Sequence, residues 1–197
     1  LAEVVGQDKV IGDIRGIIDT QGLLGQKFYL IGKTGVGKTS TARILADTVQ
    51  PYFDRSEIDA KDMSRGLIRD WEEKLESCPI GCIGRAYVCN EAHNLSHDIT
   101  ERLLTFLEKP LFVKHGFIVF TTSEKCLFGN PFADRVDEFQ FAADEAVTLA
   151  FALRCREIAQ TEHLDGQPLE AYVNLVRNNH HSMRKCLRVI GRGEFKA

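Results

Sequence analysis

Residues 32–39 read GKTGVGKT and fit the pattern G-x-x-x-x-G-K-[ST]. In this pattern the glycines let successive backbone amides turn toward a phosphate group. The lysine, here Lys38, neutralises the outer phosphates of a nucleotide, and the hydroxyl of the next residue, here Thr39, ligates Mg²⁺. The amides expected to surround the phosphates belong to Gly35, Val36 and Gly37. The segment therefore predicts a binding site for ATP with Mg²⁺.

A second motif whose residues could take part in a reaction is the pair Asn90-Glu91, which follows the apolar stretch AYVC at residues 86–89. A carboxylate at a strand end can act as a general base toward water, and we expect this role for Glu91. Asn90 stands where P-loop ATPases need an acid that holds Mg²⁺. Its amide can hydrogen-bond a water of the metal's hydration shell, but it brings no negative charge. The motif supports nucleotide binding more strongly than hydrolysis, and a strand end with one surface glutamate is the alternative.

Short apolar strands and amphipathic helices must position these motifs. The predicted strands lie at residues 28–31, 57–59, 86–89, 117–120 and 138–141. Helical periodicity lies between them, and the helix before residue 110 stops at Pro110. The phosphate loop falls between a strand and a helix, which argues against a glycine-rich turn with a chance lysine. Strands that alternate with helices predict an α/β fold with a five-stranded parallel sheet over residues 1–142.

The pattern changes after about residue 143, where predicted strands give way to three helices. The first spans about residues 144–163. The other two repeat apolar residues at i, i+3, i+4 and i+7: Leu169, Tyr172, Val173 and Val176, then Met183, Cys186, Leu187 and Ile190. We therefore predict a small helical lid domain over residues 143–197.

Composition restricts the class of protein. The net charge of -3 and the pI of about 6.1 give no argument for strong nucleic-acid binding by charge alone. No apolar run approaches the ~20 residues of a membrane helix, and the opening LAEVV does not resemble a signal peptide. Among the 6 cysteines only Cys78 and Cys82 are close, with no second pair at zinc-site spacing. We expect a cytoplasmic protein with reduced thiols and no membrane partner.

Five segments together resemble the ATPase subunits of DNA polymerase clamp loaders, an AAA+ family. They are VVGQ at 4–7, TSTAR at 39–43, EIDA at 57–60, NEAHNLS at 90–96 and LLTFLEKP at 103–110. The nearest type is the tau/gamma subunit of bacterial DNA polymerase III or a phage version of it. The resemblance covers nearly the whole chain and implies a P-loop AAA+ domain followed by a lid.

The resemblance also implies roles for single residues. Thr122, at the end of a strand, matches the family's sensor of the γ-phosphate, and Val5 and Ser40 match nucleotide contacts. Arg135 lies in DRV, where the family carries Ser-Arg-Cys, and would reach the ATP site of a neighbouring subunit. Arg184, in HSMRKCL, would reach a phosphate from the side of its helix opposite the apolar face. The alternatives are an ordinary strand-end threonine, a surface salt-bridge arginine and a basic residue on a solvated helix.

Two departures from the family concern whole modules. Residues 48–56 contain no cysteine, so the family's four-cysteine zinc insert is absent there. The family's helical collar does not follow the lid, which indicates a shortened chain or a reduced relative.

The resemblance implies an ATPase subunit that assembles with other AAA+ subunits in a ring and loads a sliding clamp onto primer–template DNA. One alternative is a nucleotide-binding assembly subunit with little hydrolysis. Another is a different AAA+ DNA machine, such as a helicase loader or a transposition regulator.

Overall fold

A five-stranded parallel sheet forms the centre of the protein, in the strand order β2-β3-β4-β1-β5. The computed structural model describes residues 1, 3–50, 56–77, 81–124 and 130–196. The strands are β1 (Lys27–Ile31), β2 (Ser56–Asp59), β3 (Arg85–Asn90), β4 (Gly116–Thr122) and β5 (Asp137–Gln140). All five lie at or beside the predicted strand positions.

Helices cover both faces of the sheet and continue beyond it. They are α1 (Asp8–Gln21), α2 (Lys38–Val49), α3 (Arg65–Lys74), α4 (His97–Leu107), α5 (Pro110–His115), α6 (Asn130–Ala133), α7 (Glu145–Thr161), α8 (Leu169–Asn178) and α9 (Met183–Gly191). Single 3₁₀ turns follow β2 at Ala60–Asp62 and β3 at Ala92–Asn94.

The central strand β4 is buried along its whole length, because helices pack on both of its faces. Phe117 and Val119 point to the cluster formed with α1 and α2, whereas Ile118 and Phe120 point to the cluster formed with α3 and α4. Burial on both faces explains why this strand is apolar at successive positions instead of alternating.

The parallel arrangement brings the carboxyl ends of the strands to one edge of the sheet. Ile31 of β1 is paired with Thr122 of β4, and Asn90 of β3 is paired with Asp59 of β2. The amide of Gly32 donates to the carbonyl of Thr122 at 3.2 Å, so the start of the phosphate loop is attached to β4. The predicted phosphate loop and the Asn90-Glu91 pair therefore meet at the same edge.

The three helices after β5 form their own apolar cluster, centred on Phe151, Cys155, Tyr172 and Cys186. We call α7 to α9 the lid. The predicted division after residue 142 falls between β5 and α7, and as a domain boundary it stays a prediction.

Gln7 attaches the N-terminal segment to the connection between the sheet and the lid. Its side chain, only 2% exposed, bonds both backbone groups of Ala142 at 2.9 Å. The contact explains a glutamine in the opening VVGQ, because a shorter or apolar side chain would leave both partly buried backbone groups of Ala142 without this partner.

The helix that was predicted to stop at Pro110 ends earlier, at Leu107, and Pro110 begins α5. Proline is well suited to the first position of a helix, where its missing N–H would have no partner. Neither α5 nor the short helix α6 was predicted from the sequence.

Two expectations from composition concern a metal site at the cysteine pair and membrane-spanning helices. Cys78 lies outside the described residues, and Cys82 is half-buried. Among the residues that are described, no group of three or more His, Cys, Asp or Glu side chains could hold a metal ion. Within the same part of the chain, no helix combines the length and the hydropathy needed to cross a bilayer.

Candidate nucleotide site

The phosphate loop has the backbone geometry that the glycines in its pattern permit. Gly35 has a φ of 88° and Gly37 a φ of 106°, a region that residues with a Cβ rarely adopt. Gly37 directly precedes α2, so the loop leads into the N-terminus of a twelve-residue helix. The unpaired amides and positive dipole end of a helix N-terminus favour an anion at this place.

Lys38 lies inside the loop and is 6% exposed. Its ammonium donates to the carbonyls of Gly32 at 2.7 Å and Lys33 at 2.9 Å, and so bridges the loop. Burial lowers the pKa of Lys38 below its ordinary value; the Glu91 carboxylate opposes this shift and the Arg184 guanidinium adds to it. A phosphate would supply negative charge to a cation that is already desolvated.

A cavity of about 460 Å³ opens beside the loop. Its lining includes most of the predicted site residues: Val5, Gly35, Val36, Gly37, Lys38, Thr39, Ser40, Glu91 and Arg184. Apolar side chains from α2 and the lid also line it, namely Ile44, Phe151, Ile158, Met183 and Leu187. A cavity with both charged and apolar walls suits a ligand with a phosphate chain and a planar base.

Asn90 and Thr39 lie together beneath the loop. The Oδ1 atom of Asn90 accepts from the Thr121 hydroxyl at 2.9 Å and from the Thr39 hydroxyl at 3.4 Å. Its Nδ2 atom donates to Glu57 Oε1 at 2.9 Å. Mg²⁺ prefers oxygen ligands, and these groups present oxygens next to the phosphate loop. The residues present therefore fit a magnesium ion at this place.

Glu91 follows β3 with a φ of 52°, in the left-handed region. A residue other than glycine, asparagine or aspartate in this region is uncommon, and such strain often occurs at functional sites. Its Oε2 atom accepts from the Ser123 hydroxyl at 3.2 Å and lies 3.5 Å from His93 Nδ1. The carboxylate is thus held at the wall of the cavity, where a general base would have to be.

Thr122 is fully buried at the end of β4. Its hydroxyl donates to the carbonyl of Glu124 at 2.7 Å and accepts from that residue's amide at 3.2 Å. A hydroxyl has one hydrogen, so the contact at 3.1 Å to His93 requires Nδ1 to be the donor. In this conformation the Thr122 hydroxyl donates its hydrogen to the carbonyl of Glu124. Sensing of a γ-phosphate by Thr122 stays a prediction.

Arg135 forms an ion pair with Glu108, at the end of α4, and its side chain is 36% exposed. Neither Arg135 nor Thr122 is among the described residues that line the cavity. The ion pair is consistent with a surface salt bridge, and a role in a neighbouring subunit stays a prediction.

The lid contacts the phosphate loop directly. The amide of Met183 donates to the carbonyl of Gly35 at 3.1 Å. A Cβ atom at Gly35 would lie 2.2 Å from the hydroxyl oxygen of Ser182, so only glycine permits this approach. The same helix start places Arg184 at the cavity. The position of the lid and the shape of the loop therefore depend on each other.

Several contacting residues were not singled out from the sequence. Glu57, His93, Thr121 and Ser123 all occur within or beside motifs that were noticed, yet none was given a role. For Thr121 and Ser123 the available signal was their position at the end of β4, whereas Glu57 lies within β2 and His93 in the turn after β3. The order of the strands was needed to show which ends are neighbours.

No protein-family model matches the chain. It is 25% identical to DNA polymerase III subunit tau of Bacillus subtilis (strain 168) over 186 residues, which cover 82% of this chain and 32% of that protein. The chain thus spans about a third of the length of this curated relative. This similarity confirms the predicted resemblance to clamp-loader ATPase subunits.

Solved structures of RuvB, a Holliday junction branch migration motor of Thermotoga maritima, share the fold. One superposes with a TM-score of 0.72 at 17% identity and covers 98% of this chain and 63% of that one. A point variant of RuvB gives a TM-score of 0.74 at 18% identity, over 97% of this chain and 62% of that one. Together with the five-stranded parallel sheet, this likeness confirms the predicted P-loop AAA+ fold.

Proposed function

We propose that this chain binds ATP with Mg²⁺ and hydrolyses the ATP as an AAA+ subunit of a clamp-loader-like complex. The observation that carries the proposal is the buried Lys38, whose ammonium bridges the phosphate loop at the wall of a cavity of about 460 Å³. The fold and the similarity to subunit tau support it.

Each residue of the site has a role in this proposal. Lys38 and Arg184 bind the outer phosphates, and the loop amides and Ser40 hold the phosphate chain. The hydroxyl of Thr39 donates its hydrogen to Asn90, which leaves oxygen lone pairs free for Mg²⁺. The metal, when bound, neutralises negative charge on the phosphates.

Glu91 is the general base of the proposed hydrolysis. Ser123 holds its carboxylate at the cavity, where it can accept a proton from an attacking water. Val5 and the apolar side chains of the lid contact the base of the nucleotide. Thr122 acts as the sensor of the γ-phosphate, which requires its hydroxyl to release the carbonyl of Glu124.

The proposed partners are other AAA+ subunits in a ring, a sliding clamp and primer–template DNA. Arg135 would complete the ATP site of the next subunit in that ring. The similarity to subunit tau of a DNA polymerase supports this setting, and we place the protein in the cytoplasm. A second candidate, a nucleotide-binding assembly subunit with little hydrolysis, is favoured by the uncharged Asn90 at the metal position.

Titration with a fluorescent ATP analogue tests the nucleotide site. Lys38→Ala should weaken binding by ~10²-fold or more, because it removes charge-assisted hydrogen bonds of about 1.5–3 kcal/mol each. Lys33→Ala is the matched control, since Lys33 is an exposed lysine of the same loop, and its binding should stay within about threefold of the parent protein. Equal affinity of the parent and Lys38→Ala would contradict the site.

Two further measurements separate the candidate functions. Steady-state ATP turnover by the assembled complex separates an ATPase from an assembly subunit with little hydrolysis. Co-purification with a sliding clamp separates a clamp-loader subunit from another AAA+ DNA machine, such as a helicase loader.

A further inference from the structure

A row of hydrogen-bonded side chains connects the phosphate loop to the edge strand β2. Arg43 of α2 donates from Nε to both carboxylate oxygens of Glu57 at 3.0 Å and from Nη2 to Oε1 at 2.8 Å. Glu57 Oε1 also accepts from Asn90, which in turn accepts from Thr121 and Thr39. Side chains of α2, β2, β3 and β4 are thus connected through Asn90, whose Oδ1 atom faces the proposed magnesium position.

The donors and acceptors of this row determine which way the amide of Asn90 points. An ionised carboxylate can only accept hydrogen bonds, so Glu57 requires the Nδ2 side of Asn90 to face it. The Oδ1 atom is then directed toward Thr39 and Thr121. An aspartate at position 90 would have no hydrogen for Glu57, and two carboxylate oxygens would face each other at about the 2.9 Å that now separates Nδ2 from Oε1. The amide at position 90 therefore matches the acid at position 57.

Asn90 carries no negative charge, but the carboxylate of Glu57, which is hydrogen-bonded to it, does. The side chain of Glu57 is 22% exposed and therefore only partly screened by water, whereas that of Arg43 is 53% exposed. A hydrogen bond to a carboxylate polarises an amide, which increases the negative partial charge on its oxygen. Glu57 can thus act on a cation at Thr39 through Asn90.

We propose that Glu57 is the positioning residue of the magnesium site: it orients the amide of Asn90 and supplies the negative charge that position 90 lacks. This inference rests on the proposed function. The ordinary alternative is that Arg43 and Glu57 form an exposed ion pair that serves only the fold, a type of contact that contributes about 0–1 kcal/mol.

The test compares the parent with Glu57→Gln, Asn90→Asp and the double variant, which moves the carboxylate from position 57 to position 90. For each protein, the measured quantity is the Mg²⁺ concentration that gives half-maximal binding of a fluorescent ATP analogue. Binding in EDTA and the melting temperature are measured alongside. Glu73→Gln is the matched control, because Glu73 is also paired with an arginine, Arg69, on the protein surface.

Glu57→Gln should raise the half-maximal Mg²⁺ concentration about tenfold, equivalent to ~1.4 kcal/mol, while binding in EDTA is retained. Asn90→Asp should lower the melting temperature in EDTA, because two carboxylates then face each other, and Mg²⁺ should restore it. In the double variant, the half-maximal Mg²⁺ concentration and the melting temperature in EDTA should both return to near the parent values. The reason is that the amide introduced at position 57 can donate to the carboxylate introduced at position 90.

Overlapping Mg²⁺ curves for the parent and Glu57→Gln would overturn the proposal and leave Glu57 a role in the fold alone. A double variant no better than Glu57→Gln would also overturn it, because the charge would then not act at position 90. Absence of nucleotide binding by the parent itself, with or without Mg²⁺, is a different outcome. It would overturn the proposed function, and this inference with it.

Discussion

The phosphate loop and the end of β3 lie at the same edge of the sheet but are constructed in different ways. The loop consists of contiguous residues: three glycines with positive φ, and Lys38 bonded to carbonyls of its own loop. The end of β3 depends on side chains from other elements, with Asn90 bonded to Glu57, Thr121 and Thr39.

This difference affects how a departure from a familiar motif is interpreted. In the loop, the backbone provides most of the ligand groups, so the pattern of glycines, lysine and hydroxyl is hard to replace. At the end of β3, one side chain can change if its neighbours change with it. If Glu57 supplies the missing charge as proposed, an asparagine at position 90 is compatible with an active site.

The largest expected effect is on the ATPase of the assembled complex and concerns Arg135, which is proposed to act at the ATP site of a neighbouring subunit. Arg135→Ala should reduce the ATPase of the assembled complex by about 10³-fold, the lower range for an arginine supplied to another site, and leave the ATP affinity of the isolated chain unchanged. Turnover of the complex and analogue binding by the monomer are the measurements. Glu108→Gln, which removes the negative charge that pairs with Arg135 within the chain, is the control. An equal loss in both variants would show that the ion pair serves the fold.

The second-largest expected effect comes from changing Glu91, directly after β3, while the phosphate loop is left unaltered. Glu91→Gln keeps the size of the side chain and its contact with Ser123, but the amide cannot take a proton from water. Turnover should fall ~10²-fold or more while ATP affinity is retained. Glu101→Gln, at an exposed position of α4, is the control and should hydrolyse ATP like the parent. Unchanged turnover in Glu91→Gln would place the base elsewhere.

A smaller effect should follow when the loop is altered where it contacts the lid. Gly35→Ala adds a Cβ atom that would lie 2.2 Å from the Ser182 hydroxyl oxygen, at a residue with a φ of 88°. The lid must shift, and we expect a cost of about 1–3 kcal/mol, seen as weaker ATP binding of about tenfold and a lower melting temperature.

The matched control for that variant is Gly12→Ala. Gly12 lies within α1, and an added Cβ would contact nothing within 4 Å there. Alanine in a helix is favoured over glycine by roughly 0.5–1 kcal/mol, so this variant should be as stable as the parent or more stable. Equal behaviour of the two variants would mean that the lid does not depend on the loop at Gly35.

The sequence by itself determined the parts of the protein that are local. The phosphate loop could be recognised because its chemistry depends on eight consecutive residues, 32–39. Strands β1, β3 and β4 could be predicted because burial on both faces makes successive positions apolar. The three final helices could be predicted because burial of one face gives their apolar residues a helical period. Short segments with little periodicity, such as α5 and α6, were missed for the same reason.

Only the tertiary structure decided which side chains meet. The strand order β2-β3-β4 places Glu57, Asn90 and Thr121 side by side, although they are separated by 33 and 31 residues along the chain. The commitment of the Thr122 hydroxyl to Glu124 and the contact of Ser182 with Gly35 likewise depend on folded geometry. The physical reason is that a hydrogen bond depends on distance and direction in space, and a pattern in sequence specifies these only within one element.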